Sequence, residues 1–351
     1  MDKIVTQYKK YRAHNRMLIR IMFILLFITG CMALVTGSYQ ISWPEIVHLL
    51  QGEDVEMSRQ IILNIRLPRI LAAIVTGTIL SLSGAVMQIL LRNPLASPYT
   101  LGISNAAAFG ASCCIVFLGS GAGIVRSSDL FAMANSYMIT LFAFLGSLSG
   151  LAIILLIIKV KQASVEVIIL SGVIINSLFG AGIAVMQYLA DSVQLASIVF
   201  WNFGDLGRGD WSKLIFMGFI LIPALIYFYF KRWDYKVLAF GDDYAQSMGV
   251  YPQRTRITGM VVTSLCTAVA VSFFGVIAFV GLAVPHIVRK LTGDSEEFLI
   301  TGAAVFGGMF LLLCDTVARA VISPIILPVG ILTSFLGVPL FLFLLTRKKG
   351  G

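Results

Sequence analysis

Chemistry in a polypeptide needs reactive side chains within reach of one another, and in this sequence they are few and scattered. The five cysteines, Cys31, Cys113, Cys114, Cys266 and Cys314, all lie inside apolar runs. That placement suits buried small hydrophobes better than a disulfide framework or a zinc site. His14, His48 and His286 fall in three different segments, with no H-x-x-x-H and no cysteine close by, so no intrinsic metal is expected. No G-x-x-x-x-G-K-[ST] occurs, and the glycine cluster from Gly119 to Gly123 misses G-x-G-x-x-G at its last position. No cofactor site is expected, and if ATP drives this protein another chain must bind it. An intramembrane enzyme would need clustered catalytic groups, which the scattered histidines and buried cysteines do not supply.

The elements that position these residues follow from composition. Of the 351 residues 58% are hydrophobic and 12% charged, against roughly 25% charged in a soluble domain. With a mean hydropathy of +0.92, there is too little polar surface to cover a water-soluble globule. About 20 apolar residues make one helical crossing of a bilayer. Ten apolar runs can be read, at about 17–35, 67–91, 98–119, 137–158, 166–190, 213–230, 257–275, 276–288, 298–318 and 326–346. The stretch 257–288 is divided because it exceeds one span and Gly275 and Gly281 can turn the chain. The expectation is an all-α polytopic membrane protein: a basic N-terminus over 1–16, one transmembrane unit over 17–346 and a basic tail over 347–351. The first run lacks a clean small-residue cleavage site and reads as a retained span.

Cytoplasmic flanks carry the excess of Lys and Arg. With both termini inside, nineteen of the 26 basic residues fall on the cytoplasmic side. The net charge of +9 is then mostly a topology signal. Nucleic-acid binding would need a basic patch with stacking aromatics, whereas these residues are spread over six cytoplasmic segments. An offset of five spans would invert spans 7–10 relative to spans 2–5, which fits an inverted repeat.

The exceptions to the charge rule are candidate sites. Arg66 and Arg69 stand on the outer side where the second span begins. They suit an acidic patch on an extracytoplasmic protein, and they equally suit snorkelling to lipid headgroups. Asp315, the one acid in the ninth apolar core, has Arg319 four residues on along the same face. An ion-coupled carrier would hold an unpaired mid-membrane acid, so that alternative is weakened. Small residues recur at four-residue spacing, as in Gly77 with Ser81 and Gly146 with Gly150, and mark close helix packing. In the fifth span Ser171, Asn176, Ser177 and Gln187 could line an aqueous path or bond between helices. The loop over about 231–256 reads as short helices: Gly241-Asp242-Asp243 opens one and Gly249 stops it. It suits either docking to a partner or plain re-entry.

Taken together, the motifs resemble the permease subunit of type II ABC importers, the family that takes up iron-siderophore complexes, haem and cobalamin. The resemblance runs from about Ile65 to Leu345. It rests on Arg66-Leu67-Pro68-Arg69, Ser83 to Gln88, Arg92-Asn93-Pro94-Leu95-Ala96-Ser97-Pro98 and Leu101-Gly102. Trp201 to Trp211 and Gly241-Asp242-x-x-Ala245-x-x-Met248-Gly249-Val250 continue it. It closes with Gly275 to Leu282, Val284 to Arg289, Asp315-x-x-Ala318-Arg319 and Pro328-Val329-Gly330. It implies a ten-span subunit of a prokaryotic cell membrane that pairs with a second permease copy, two cytoplasmic ATP-binding subunits and an extracytoplasmic binding protein. It further implies that Arg66, Arg69 and Arg319 dock the binding protein. Gly241, Asp242, Ala245, Met248 and Gly249 are then the coupling helix, Asn93 and Leu95 a cytoplasmic gate, and Asn176 and Gln187 part of the pathway wall. Where the family usually carries a glutamate, this chain has Ile326, so that residue's role is not carried over. Iron-siderophore cargo is expected as the family's commonest use, although no residue separates it from haem or cobalamin.

Overall fold

The computed structural model describes residues 2–37, 39, 41–45, 51, 56–119, 129–161, 164–293, 295–322 and 325–346. The expected basic tail over 347–351 and Pro324 lie outside them. Among the described residues there is no strand, and every apolar run is a helix. The helices that fall on the ten runs are α1 (Asp2–Val35), α3 (Leu67–Leu90), α4 (Ile103–Phe117), α5 (Asp129–Lys161), α6 (Val165–Leu189), α8 (Trp211–Ala239), α10 (Pro252–Phe274), α11 (Val280–Thr292), α12 (Glu296–Ala320) and α13 (Val329–Thr346). Between them lie three short helices, α2 (Glu56–Ile61), α7 (Ser192–Asn202) and α9 (Asp242–Ser247).

Among the described residues seven of these helices are long and apolar enough to cross a membrane, and α4, α11 and α13 are the shorter three. Helices α4 and α11, with 15 and 13 residues, fall short of the ~20 a crossing takes. Each follows an irregular stretch, and the one before α11 is mostly buried in protein, which is where non-helical backbone is tolerated at membrane depth. Before α4, the Ser97 amide donates to Thr100 Oγ1 at 2.9 Å and the Thr100 amide to Ser97 Oγ at 3.2 Å. This clasp and Gly102, at φ +86°, delay the helix past the expected start at 98. Before α11, the chain breaks over Gly275 to Phe279, both at positive φ. Gly281, expected to turn the chain, is instead inside α11. A short second helix in the set α3 to α6 recurs as α11 in the set α10 to α13, a likeness of lengths that an inverted repeat would give.

Helix α3 is the axis of the bundle and its most buried span. Backbones approach it where side chains vanish. A Cβ on Gly84 would sit 1.7 Å from the Gly281 carbonyl oxygen of α11, and one on Gly77 would sit 2.3 Å from that of Gly307 in α12. Gly146 of α5 lies similarly against Ala106 and Gly110 of α4. The small-residue spacing is thus packing, as expected. A π-turn over Ile62–Arg66 precedes α3, with the Leu67 amide reaching back to the Ile62 carbonyl. Pro68, which has no amide to donate, then sits in the first turn of α3, where none is needed.

Two boundaries move. Residues 2–16 form no separate tail but the first turns of α1: Tyr11 Oη (2.6 Å) and Asn15 Nδ2 (2.9 Å) both donate to the Thr292 carbonyl. The expected loop over 231–256 shrinks, because α8 runs on to Ala239 and α10 starts at Pro252. Gly84→Ala is expected to cost 1–3 kcal/mol or more by overpacking, seen as a lowered unfolding midpoint of the purified chain in detergent. Gly180→Ala, with nothing within 4 Å of its Cβ, serves as the neutral control.

Candidate functional site

Charged constellations occupy the two ends of the bundle. At one end Asp315, fully buried, receives two arginines. Arg69 Nε and Nη2 donate to its Oδ1 at 3.0 and 2.8 Å, and Arg319 Nε donates to its Oδ2 at 3.1 Å. Asp205, in the turn after α7, lies 3.6 Å from Arg69 Nη2. Other donors of Arg319 and Arg66 go to the end of α1 and the residues just after it. Arg319 Nη1 reaches the Thr36 carbonyl at 2.7 Å, while Arg66 binds the carbonyls of Leu34, Val35 and Tyr39. The last carbonyls of a helix lack partners and carry partial negative charge. α1 has no basic residue in its own last turn, so arginines from elsewhere cap it.

The expectation that Arg66, Arg69 and Arg319 stand open to a partner's acids therefore meets a different geometry. They are only 5%, 8% and 5% exposed, and their donors are engaged within the chain. The Asp315–Arg319 pair is present as read, with Arg69 as its unforeseen third member. Three arginines against two carboxylates leave this cluster positive among the described residues.

At the opposite end α9 begins at Gly241, at φ +124°, which a residue with a Cβ rarely adopts. Asp242, its first residue, accepts from Arg256 Nη1 and Nη2 at 2.7 and 2.5 Å and from Arg92 Nη2 at 3.0 Å. Arg256, 7% exposed, sends its Nε to the Leu90 carbonyl at the end of α3, 3.0 Å away. One guanidinium thus ties the end of α3, the start of α9 and α10 together. These arginines hold the Asp242 carboxyl below the usual aspartate range, the Arg256 hydrogen bonds being the largest cause. Ala245 is buried, Met248 is 59% exposed, and Gly249 ends the turn at φ +79°.

Arg92 opens the next turn, at φ 44°. Asn93 Oδ1 accepts from the Leu95 amide at 2.8 Å, an Asx-turn that presents Leu95, 46% exposed. Arg92, which precedes the expected gate, is therefore bonded to Asp242 of the expected coupling helix. Of the polar residues of α6 the serines are satisfied locally, while Asn176 reaches across to the loop before α4 and keeps a buried Oδ1 that accepts no hydrogen bond among the described residues. Ser171 and Ser177 bond carbonyls one turn back, and Asn176 Nδ2 donates to the Thr100 carbonyl at 3.0 Å. Asn176 and Gln187 are half-buried. The open face of α6 is instead apolar, with Leu170, Val173, Ile174, Leu178 and Tyr188 exposed.

Sequence reading missed three partners. Arg256 had a signal, since a cation in the first turns of a helix opposes the dipole and asks for a carboxylate. Asp191-x-x-Gln194 is a capping box announcing α7, with the Asp191 side chain accepting from the amides of Val193 and Gln194. The Arg69–Asp315 contact spans 246 positions and had none. Ile326 is 44% exposed and contributes no polar group.

The FecCD transport family matches residues 25–347. An ABC transporter permease protein of Methanocaldococcus jannaschii is 49% identical over 344 residues, covering 98% of both chains. The hemin transport system permease protein of Yersinia pestis is 34% identical over 338 residues, covering 96% of this chain and 98% of its own. Relatives named for import of molybdate (Haemophilus influenzae), iron(3+)-hydroxamate (Bacillus subtilis) and vitamin B12 (Salmonella paratyphi A) are 32% to 35% identical. A solved structure described as an inward-facing conformation of a metal-chelate type ABC transporter superposes with a TM-score of 0.82 at 30% identity, covering 95% of this chain and 99% of the other. The chain belongs to the FecCD family of ABC transporter permeases, multi-pass proteins of the prokaryotic cell membrane.

Removing one member of a buried ion cluster strands its partners. Asp315→Asn is expected to destabilise the purified chain by on the order of 3–5 kcal/mol. Replacing Asp315, Arg69 and Arg319 together by apolar residues of similar size should recover much of that loss in the same unfolding measurement.

Proposed function

We propose that this chain is the membrane-spanning half of an ATP-driven importer for an iron-siderophore complex. Two copies of it, or one copy and a related permease, enclose the pathway. Two ATP-binding subunits dock on the α9 end, which is cytoplasmic along with both termini, and an extracytoplasmic binding protein delivers cargo to the opposite end. The permease does no covalent chemistry. Closure of the ATP-binding subunits moves α9, and the two permeases rock to open the cavity alternately to each side.

The observation that carries this reading is the clasp of Asp242 by Arg256 and Arg92. A push on α9 reaches the end of α3 through Arg256 and the Asn93–Leu95 turn through Arg92, with no slack between. At the far end, the carbonyls that hold Arg66 leave its charge uncancelled. The positive cluster can therefore steer an acidic binding protein even though its side chains are covered.

Cargo chemistry is supported by the open face of α6, whose only charged residue is Glu166 at its first turn. A pathway wall without cations suits a bulky, mostly apolar chelate, whereas a bare oxyanion such as molybdate calls for basic donors. Most relatives named above for a cargo also carry an organic chelate.

In the reconstituted complex, Asp242→Asn is expected to leave the ATP-binding subunits bound and hydrolysing while cargo uptake falls at least tenfold. Normal uptake would remove the clasp from the mechanism. Because Asp242 is held below its usual value, the clasp should persist as pH falls from 8 to 5 and fail only below the ordinary aspartate range, so uptake should show no step assignable to it in that window. Uptake of a panel of radiolabelled ferric siderophores by cells with and without the gene fixes the cargo, and loss for one chelate is expected. No loss across the panel, with no redundant importer, would shift the reading to haem or cobalamin. With the binding protein so identified, Arg66→Gln should weaken its association several-fold at low salt, and unchanged affinity would remove docking at that residue.

A further inference from the structure

The cavities outside the pathway include a contiguous pair on the outer flank of the bundle, between α1, α8 and α12. The first, about 420 Å³, lies at the α9 end and is lined by Tyr8, Arg12, Arg232, Trp233, Lys236 and Glu297 among others. The second, about 610 Å³, continues from it toward the middle of the bundle and is apolar, with Phe23, Leu26, Ile226, Tyr229, Ile300 and Ala304 in its walls. Arg232 and Glu297 line both and mark the boundary between them.

The chemistry of the two compartments differs in the way the two parts of a lipid differ. In the first, Glu297 sits between Arg12 at 3.5 Å and Arg232 at 4.0 Å, so one carboxylate faces two guanidiniums and the Lys236 ammonium. The recess keeps a charge excess of +2. Aromatic rings hold its cations in place: Arg232 lies 4.1 Å from the Tyr229 ring centroid and Lys236 lies 5.2 Å from that of Trp233. Arg12 Nε is buried and takes no acceptor among the described residues, leaving a donor for an added anion. Along α1, Arg12 and Phe23 are eleven residues apart, or about 16 Å. That is close to half of a hydrocarbon core about 30 Å thick. Trp and Tyr at this level also mark the membrane-water boundary.

We propose that this pair of cavities is a binding site for an anionic phospholipid of the leaflet at the α9 end. The phosphate sits among Arg12, Arg232 and Lys236, and an acyl chain lies in the groove beside Phe23 and Ala304. The lipid would bridge α1 to α8 and α12, and through α8 it would bear on the helix that leads directly into Gly241 and α9. The site rests on the chain spanning a bilayer and is independent of which side of the membrane the α9 end faces.

The test is binding of phosphatidylglycerol and phosphatidylcholine, each carrying the same acyl chains, to the purified full-length chain in detergent, read by native mass spectrometry and by the shift in unfolding midpoint. Phosphatidylglycerol is expected to be retained and to raise the midpoint, with phosphatidylcholine at least tenfold weaker. The double variant Arg232→Gln with Lys236→Gln should abolish that preference while its midpoint without lipid stays near the parent's. Ala304→Phe, which fills the groove and leaves the charges intact, should weaken phosphatidylglycerol several-fold. Equal binding of the two lipids, or an unchanged preference in the double variant, would overturn the proposal. Displacement of phosphatidylglycerol by millimolar inorganic phosphate would also overturn it, showing an anion pocket with no use for the chain.

Discussion

A single buried guanidinium joins the short helix α9 to the long helices α3 and α10. Arg256 gives its Nε to the last free carbonyl region of α3 and its two terminal nitrogens to Asp242. A forked, charge-assisted pair of this kind fixes orientation as well as distance, so α9 cannot rotate without moving α3 or breaking the fork. A buried ion pair is weak evidence for stability, because desolvation offsets most of the attraction. Its value here is mechanical: three helices, α3, α9 and α10, that would otherwise slide are held at one angle.

The opposite end repeats the device with different parts. Arg66 and Arg319 close the open carbonyls of α1, and Arg69 and Arg319 share Asp315. Between these ends α3 is packed against α11 and α12 through contacts that exclude even a methyl group. Densely packed interiors deform little and transmit displacement. An axial helix pinned by arginines at both ends is therefore suited to move as a unit with α9, while α4 and α11, interrupted by irregular backbone, supply the places where the bundle can flex.

Much of this was legible in the sequence because bilayer crossing imposes long apolar runs, and each of the ten runs falls on one helix of the structure. The short helix α9 was legible for a local reason: glycine, two acids and a closing glycine specify its ends. Pairing across the fold was not. Asp315 announced Arg319 four residues away and concealed Arg69, since helix periodicity reports neighbours on one helix and says nothing of the facing one. Nor did the sequence show that Arg66 and Arg319 cap a helix in another part of the chain, which covers their side chains. Serines 171 and 177 looked like pathway residues because their hydroxyls stand in an apolar run, yet a carbonyl one turn back satisfies each.

The central claim is that α9 and the turn bearing Leu95 move as one body. Spin labels at Ser247 and Leu95, both exposed, would report their separation by pulsed dipolar spectroscopy in the assembled transporter with and without ATP. The account requires one narrow distance in both states, broadened when Arg256 is replaced by Gln. A separation in the parent that changes with nucleotide as much as the distance from Ser247 to a label on α1 would contradict it, and would mean that force from the ATP-binding subunits enters the membrane by another route.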